Sequence, residues 1–165
     1  VYSEIDKGTT FRIYLPRNTE TIASRHENHS TQPIPKGHET ILLVEDEETL
    51  LEMTQKILER LGYKVLTASS PTEAMRIIEG PQCNAIQLLI TDVVMPEMNG
   101  RDLSEKLLKI HPNLKCLFMS GYTANVIAYQ GVLDKGVQFI NKPFSRKDIA
   151  TKIREVLDDN KKLSQ

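Results

Sequence analysis

Leu88-Leu89-Ile90-Thr91-Asp92-Val93-Val94-Met95-Pro96-Glu97-Met98-Asn99-Gly100 is the stretch that decides how this chain is read. An apolar run delivers one carboxylate, Asp92, to its own end, and a Pro/Asn/Gly turn follows at once. The same arrangement occurs earlier at Ile41-Leu42-Leu43-Val44-Glu45-Asp46. A later run, Phe139-Ile140-Asn141-Lys142-Pro143-Phe144, brings an ammonium to the end of another apolar segment. Acids and a lysine, each at a strand end, make a candidate site.

Outward from that stretch, short apolar runs alternate with amphipathic ones. They predict strands near 41–45, 64–68, 87–92, 114–119 and 137–140, and helices near 47–61, 71–79, 100–110, 122–130 and 146–158. In the first helix Leu50, Met53/Thr54, Ile57 and Leu61 form the expected apolar stripe, and Gly62 supplies its stop. In the last, Ile149, Ile153, Val156 and Leu157 do the same. Pro71 suits a first helical turn, and Asn99-Gly100 suits a helix entry. Every connection is too long for a hairpin, so the class is α/β: a five-stranded parallel sheet with helices on both faces, doubly wound as (βα)5. In such sheets the working site lies beyond the carboxyl ends of the strands, where Glu45, Asp46, Asp92, Ser120 and Lys142 all fall.

Composition bounds the function. The 165 residues, 39% hydrophobic, suffice for one core and an appendage. A net charge of −1 provides no basic field, so nucleic acid and anionic membrane are poor partners. No apolar stretch approaches the ~20 residues that cross a bilayer. Cys83 and Cys116 lack CxxC spacing and fit reduced thiols better than a disulfide or zinc framework. Along the chain, residues 1–17 hold a Gly/Thr turn and then Phe11-Arg12-Ile13-Tyr14-Leu15, whose alternation predicts a strand closed by Pro16. Residues 18–40 are polar and read as a flexible linker, 41–158 form the α/β domain, and 159–165 are a tail.

Taken singly, each group has an ordinary reading. Glu45-Asp46-Glu47-Glu48 suits an acidic first helical turn, Asp92 a cap or turn, Lys142 a solvated loop, Ser120-Gly121 a strand-ending turn and Phe139 the core. Their joint occurrence at successive strand ends is what resists that reading. Together Leu43-Val44-Glu45-Asp46-Glu47, Thr91-Asp92-Val93-Val94-Met95-Pro96, Met98-Asn99-Gly100, Met119-Ser120-Gly121-Tyr122 and Asn141-Lys142-Pro143-Phe144 resemble the receiver domain of two-component response regulators over roughly 41–158. Gln87 departs from the family, which often has an acidic residue before the third strand's apolar core.

The resemblance implies a flavodoxin-like fold and a role in phosphorelay signalling. Asp92 would be the phosphoacceptor, Glu45 and Asp46 the acidic pair for Mg²⁺, and Val94 a backbone carbonyl ligand to that ion. Ser120 would contact the phosphoryl group, Lys142 would be its cationic partner, and Phe139 the switch aromatic. It also implies a cis Lys142–Pro143 peptide. Both carboxylates of Glu45-Asp46 can face one ion only if the chain turns where the strand ends. Mg²⁺ fits such a set because it prefers carboxylate, carbonyl and water oxygens.

Ser3-Glu4-Ile5-Asp6-Lys7-Gly8-Thr9-Thr10-Phe11-Arg12-Ile13-Tyr14-Leu15-Pro16-Arg17 resembles the end of a histidine-kinase ATP-binding domain, with Asp6 where that loop often has a glycine. This implies the C-terminal receiver of a hybrid sensor kinase, and the short tail leaves no DNA-binding output domain. The implied partners are a phosphohistidine donor, either the kinase's own dimerisation and phosphotransfer domain or a separate histidine phosphotransfer protein. The implied location is cytoplasmic, whether or not the parent kinase is membrane-anchored. Too little of the ATP site is present for kinase activity, and none of His26, His29, His38 or His111 has a His-Glu-x-x-x-Pro context. The alternative class is a Mg²⁺-dependent phosphohydrolase with Asp92 as nucleophile; such enzymes usually carry a second acid two residues on, where Val94 stands.

Overall fold

The computed structural model describes residues 1–14, 33–81, 83–121 and 138–159, which fall in two units, Val1–Gln32 and Pro33–Gln165. The helix expected near 122–130, positions 15–32 of the leading segment and linker, and the tail from 160 on lie outside the described residues.

In the first unit β1 (Tyr2–Glu4) pairs antiparallel with β2 (Gly8–Thr10), Tyr2 opposite Thr10 and Glu4 opposite Gly8. Asp6 turns the hairpin at φ 62, a left-handed conformation that Asp tolerates better than most residues. The strand expected over Phe11–Leu15 is absent among its described residues, Phe11–Tyr14; the paired segment is Gly8–Thr10 instead. Alternation marks which side chains would share a face, but a strand needs a neighbour for its ladder, and the turn at Asp6 brings 8–10, not 11–14, back against β1. Phe11 and Ile13 are left 70% and 82% exposed.

The second unit is built on a parallel sheet. Its elements are β3 (Thr40–Val44), α1 (Glu48–Arg60), β4 (Lys64–Ala68), α2 (Pro71–Glu79), β5 (Ile86–Asp92), α3 (Gly100–Ile110), β6 (Lys115–Ser120), β7 (Gln138–Asn141) and α4 (Arg146–Asp158). A single helical turn, Cys83–Ala85, precedes β5. The strand order is β4-β3-β5-β6-β7 and every pairing is parallel. Because successive strand side chains alternate faces, each apolar run feeds two cores. Ile41, Leu43, Leu88, Ile90, Leu117 and Met119 pack with Leu58 of α1 and Ile149 and Ile153 of α4. On the opposite face Leu42, Val44 and Leu89 pack with Ala74 and Ile78 of α2 and Leu103 and Leu107 of α3.

Local chemistry sets the helix ends. Ser70, Asn99 and Ser145 each accept a bond from the backbone N–H three residues on, satisfying a donor that the first turn leaves unpaired. The stripe of α1 departs from expectation in part: Thr54 and Leu61 are buried as expected, but Leu58 is buried with them, whereas Met53 is 51% exposed. Apolar residues at 50, 51, 53, 57, 58 and 61 allow two phases a fraction of a turn apart, and the position of the sheet selects the one through Leu58 and Leu61.

Residues 33–39, assigned to the linker by their polarity, pack on this unit. Ile34 lies against the α1/α4 core, and the Gly37 N–H donates to the Leu61 carbonyl at 3.0 Å. Gly62 has φ 96, and a Cβ there would collide with the Gly37 carbonyl, so only glycine closes this contact. Arg154 of α4 grips Glu39 with both terminal nitrogens, at 2.6 and 3.3 Å, and its guanidinium lies 5.9 Å from the Tyr63 ring centroid. Burial pushes the Glu39 carboxyl up, but the bonds from Arg154 and from the His38 N–H outweigh it and hold the pKa below its ordinary 4.5.

A depressed native pKa adds stability that is fully present above the unfolded value and disappears as pH falls through the native one. Glu39→Gln should therefore cost about 1 kcal/mol at neutral pH, and urea melts should show its deficit shrinking below pH ~4.5. The phasing of α1 is tested by Leu58→Ala, expected to cost about 2–5 kcal/mol in the same melts, against about 0.5 kcal/mol or less for Met53→Ala.

Candidate functional site

Sheet register brings the polar groups together. Val44 is level with Ala68 on one side and Thr91 on the other, Asp92 is level with Met119, and Ser120 with Asn141. The strands consequently end at nearly one height, so that Glu45 and Lys142, just after β3 and β7, and Asp92 and Ser120, at the last positions of β5 and β6, meet on a common rim. β3 stops at Val44, and the chain bends through Glu45-Asp46 before α1 starts, which frees both carboxylates from the alternation of a strand. Glu45 is anchored by its N–H to the Ala68 carbonyl at 3.2 Å and is 2% exposed; Asp46 is exposed. One carboxylate oxygen from each of Glu45, Asp46 and Asp92 lies within 4.8 Å of the others.

Lys142 closes the group. Its N–H donates to the Ser120 carbonyl at 2.7 Å, tying the end of β7 to that of β6, and the peptide that follows, to Pro143, is cis. Its Nζ donates to Glu45 Oε2 at 2.6 Å and to Asp92 Oδ2 at 2.8 Å. Burial works against the ammonium, but these bonds and charges outweigh it and raise its pKa, so it stays cationic. Glu45 is shifted the other way to most paired acids: burial raises its pKa, Lys142 lowers it, and the neighbouring Asp92 and Asp46 add to the rise. The rim thus holds more negative charge than one lysine offsets. It has the hard oxygen donors and the electrostatic demand that suit a small divalent cation.

The remaining expected residues occupy the same end of the sheet. Ser120 is 1% exposed at the last position of β6. Phe139 lies opposite Phe118 on adjacent strands and packs in a small cluster with Phe118 and Val93, the residue after Asp92. Val94 is 52% exposed, and its N–H is 3.4 Å from Asp92 Oδ1.

Two features here were not read from the sequence. Gly100 is more than a helix entry: its N–H donates to the Val93 carbonyl at 3.0 Å, and a Cβ on it would collide with the Asp92 carbonyl oxygen. The Asn-Gly pair was its visible trace. Glu97 has φ 67 and accepts a 2.9 Å bond from the Thr72 hydroxyl, 25 residues away; no local pattern signals that pairing.

Comparison with known proteins agrees with this geometry. Residues 41–154 match the family model of the response regulator receiver domain. The chain is 33% identical over 118 residues to the response regulator receiver protein CpdR of Brucella abortus, covering 71% of this chain and 95% of that protein. It is 37% identical over 163 residues to the sensor kinase CckA of the same organism; the match takes in 94% of this chain and 17% of the kinase. A crystal structure of a receiver domain protein from Clostridium thermocellum superposes with a TM-score of 0.66 at 32% identity, covering 76% of this chain and 98% of that one. The receiver domain of the hybrid histidine kinase CckA superposes at 0.60 with 33% identity, covering 72% and 98%. A rim of acids bridged by one lysine at the carboxyl ends of a five-stranded parallel sheet, over the residues the family model spans, places this chain in the response regulator receiver domain family.

Proposed function

We propose that this domain takes a phosphoryl group from a phosphohistidine onto Asp92 in a Mg²⁺-dependent phosphorelay. The observation that carries the reading is the Lys142 ammonium held at 2.8 Å from Asp92 Oδ2 and 2.6 Å from Glu45 Oε2. In the transfer a carboxylate oxygen of Asp92 forms a bond to phosphorus as the P–N bond to the donor imidazole breaks. Lys142 is placed to shift its hydrogen bond from the carboxylate to the phosphoryl oxygens, so positioning and charge stabilisation carry the step. Glu45, Asp46 and Asp92, with the Val94 carbonyl, would hold Mg²⁺, which when bound supplies positive charge against those oxygens. A phosphohydrolase reading has no comparable support, since Val94 stands where a second acid is wanted.

Transfer would be read out through Ser120 and Phe139. The Ser120 hydroxyl bonds the new phosphoryl group, and Phe139 changes rotamer against Phe118 and Val93. On the rim beside Lys142, the hollow lined by Leu50, Met53, Pro143 and Phe144 offers an apolar seat for the donor protein. The setting is the C-terminal receiver of a hybrid sensor kinase. The likeness to the sensor kinase runs through 94% of this chain and hence into the leading segment. In that segment Tyr2, Ile5, Phe11, Ile13 and Tyr14 are 64–91% exposed, more apolar surface than a three-residue-per-strand hairpin covers, as befits the tail of a larger ATP-binding domain.

Acetyl phosphate with Mg²⁺ should place one phosphoryl group on the intact protein, read by mass spectrometry, and Asp92→Asn should abolish it; a variant still labelled at the same rate contradicts the assignment. Beryllofluoride with Mg²⁺ should shift the amide and ring resonances of Val93, Phe118 and Phe139 as well as Asp92. Changes confined to residues directly around Asp92 would exclude the switch while leaving the phosphoacceptor in place.

A further inference from the structure

The loop between Asp92 and α3 is held at both ends by its own chain. Met95 is buried in the core under α2 and α3, with the Thr91 hydroxyl 3.9 Å from its sulfur. The Gly100 N–H reaches back to the Val93 carbonyl, and the Met98 N–H donates to the Pro96 carbonyl at 2.7 Å across a tight turn. At the exposed apex of that turn stands Glu97 with φ 67, a left-handed conformation that a residue with a long side chain holds only when its surroundings impose it. A further contact comes from outside the loop: Thr72 donates its hydroxyl to Glu97 Oε2 at 2.9 Å. Thr72 is a firm support. It lies in the first turn of α2, whose start is capped by Ser70 and by Glu73, which accepts from the Ser69 N–H at 2.7 Å. The same helix is anchored by Ala74 and Ile78 in the core.

We infer that Thr72 is a positioning residue for the metal site, keeping Glu97 in its left-handed conformation and thereby keeping the Val94 backbone in register with Asp92. The inference rests on the proposed reading in which Glu45, Asp46, Asp92 and the Val94 carbonyl hold Mg²⁺. Thr72 touches neither ion nor phosphoryl group; it acts through the population of one loop conformation. When that bond is removed, Glu97 relaxes toward negative φ, and apparent affinity for the ion falls by the fraction of chains that leave the competent loop.

The test titrates the full chain with Mg²⁺ alone, following amide resonances of Asp92 and Val94, and then measures labelling of Asp92 by acetyl phosphate. Thr72→Val, which keeps the shape and removes the donor, should raise the Mg²⁺ dissociation constant about threefold to tenfold, within the range for losing one typical hydrogen bond. Thr72→Ser, which keeps the donor, should stay within about twofold of the parent. Labelling by the valine variant should be slow at subsaturating Mg²⁺ and recover at saturation. Glu97→Gly adopts positive φ without strain, so Thr72→Val added to it should change nothing further. A valine variant of unaltered melting temperature and unaltered Mg²⁺ affinity overturns the inference, as do additive losses in the double variant. If Mg²⁺ leaves Glu45, Asp46 and Asp92 unmoved in the parent, the inference and the metal reading both fall. If the parent binds Mg²⁺ but is never labelled, only the phosphoacceptor reading falls, and the affinities decide the role of Thr72.

Discussion

Crowding of like charge at the carboxyl end of the sheet governs this domain. Glu45, Asp46 and Asp92 present oxygens within 4.8 Å of one another, and Glu45 is almost wholly removed from water. Carboxylates so placed repel, and a low-dielectric setting magnifies the repulsion. Lys142 makes the arrangement tenable by bridging Glu45 and Asp92. One ammonium against three carboxylates leaves a deficit; burial raises the pKa of Glu45, Lys142 pulls it down, and Asp92 and Asp46 add to the rise. The carboxyl end of the sheet therefore carries more negative charge than Lys142 offsets.

The rest of the unit serves to hold that crowding in place. Strands buried on both faces align to within a residue, so that carboxylate, hydroxyl and ammonium emerge at one level. Lys142 is carried there by β7 and is tied through its backbone to the end of β6, so the cation's position depends on the whole width of the sheet. Val93 carries the connection outward, since it follows Asp92 and packs with Phe118 and Phe139. Val93 thus links the end of β5 to the apolar face formed by β6 and β7.

The opposite end is secured by different chemistry. Segment 33–39 is pinned by Ile34, by the close pairing of Gly37 with Gly62 and by the clasp of Arg154 on Glu39. It joins the entry to β3 to the ends of α1 and α4. The two ends differ: the rim by Asp92 gathers three carboxylates about one lysine, whereas at the other end the Glu39 carboxylate is paired with the Arg154 guanidinium.

Much of this was legible in the chain itself. Runs such as Leu88–Ile90 and Ile41–Val44 are continuous because both faces of a parallel strand are buried, so one acid at the end of each stands out. Gly62, Pro71 and Asn99 announced helix ends because caps are local. What stayed hidden depended on partners distant in sequence. Phe11–Tyr14 alternates like a strand but has no paired neighbour among the described residues, since pairing belongs to the turn at Asp6. The stripe of α1 had two admissible phases, and only the sheet beneath it chose Leu58 over Met53. Glu39 looked like linker because its partner Arg154 is 115 residues away, and nothing local pointed to the bond between Thr72 of α2 and Glu97, 25 residues on. Local residues determine which segments become strands and which polar groups end them, because propensity and burial act over a few neighbours. Which of those groups meet, and which conformations they impose on one another, belongs to the tertiary structure, because hydrogen bonds and ion pairs act across space without regard to separation along the chain.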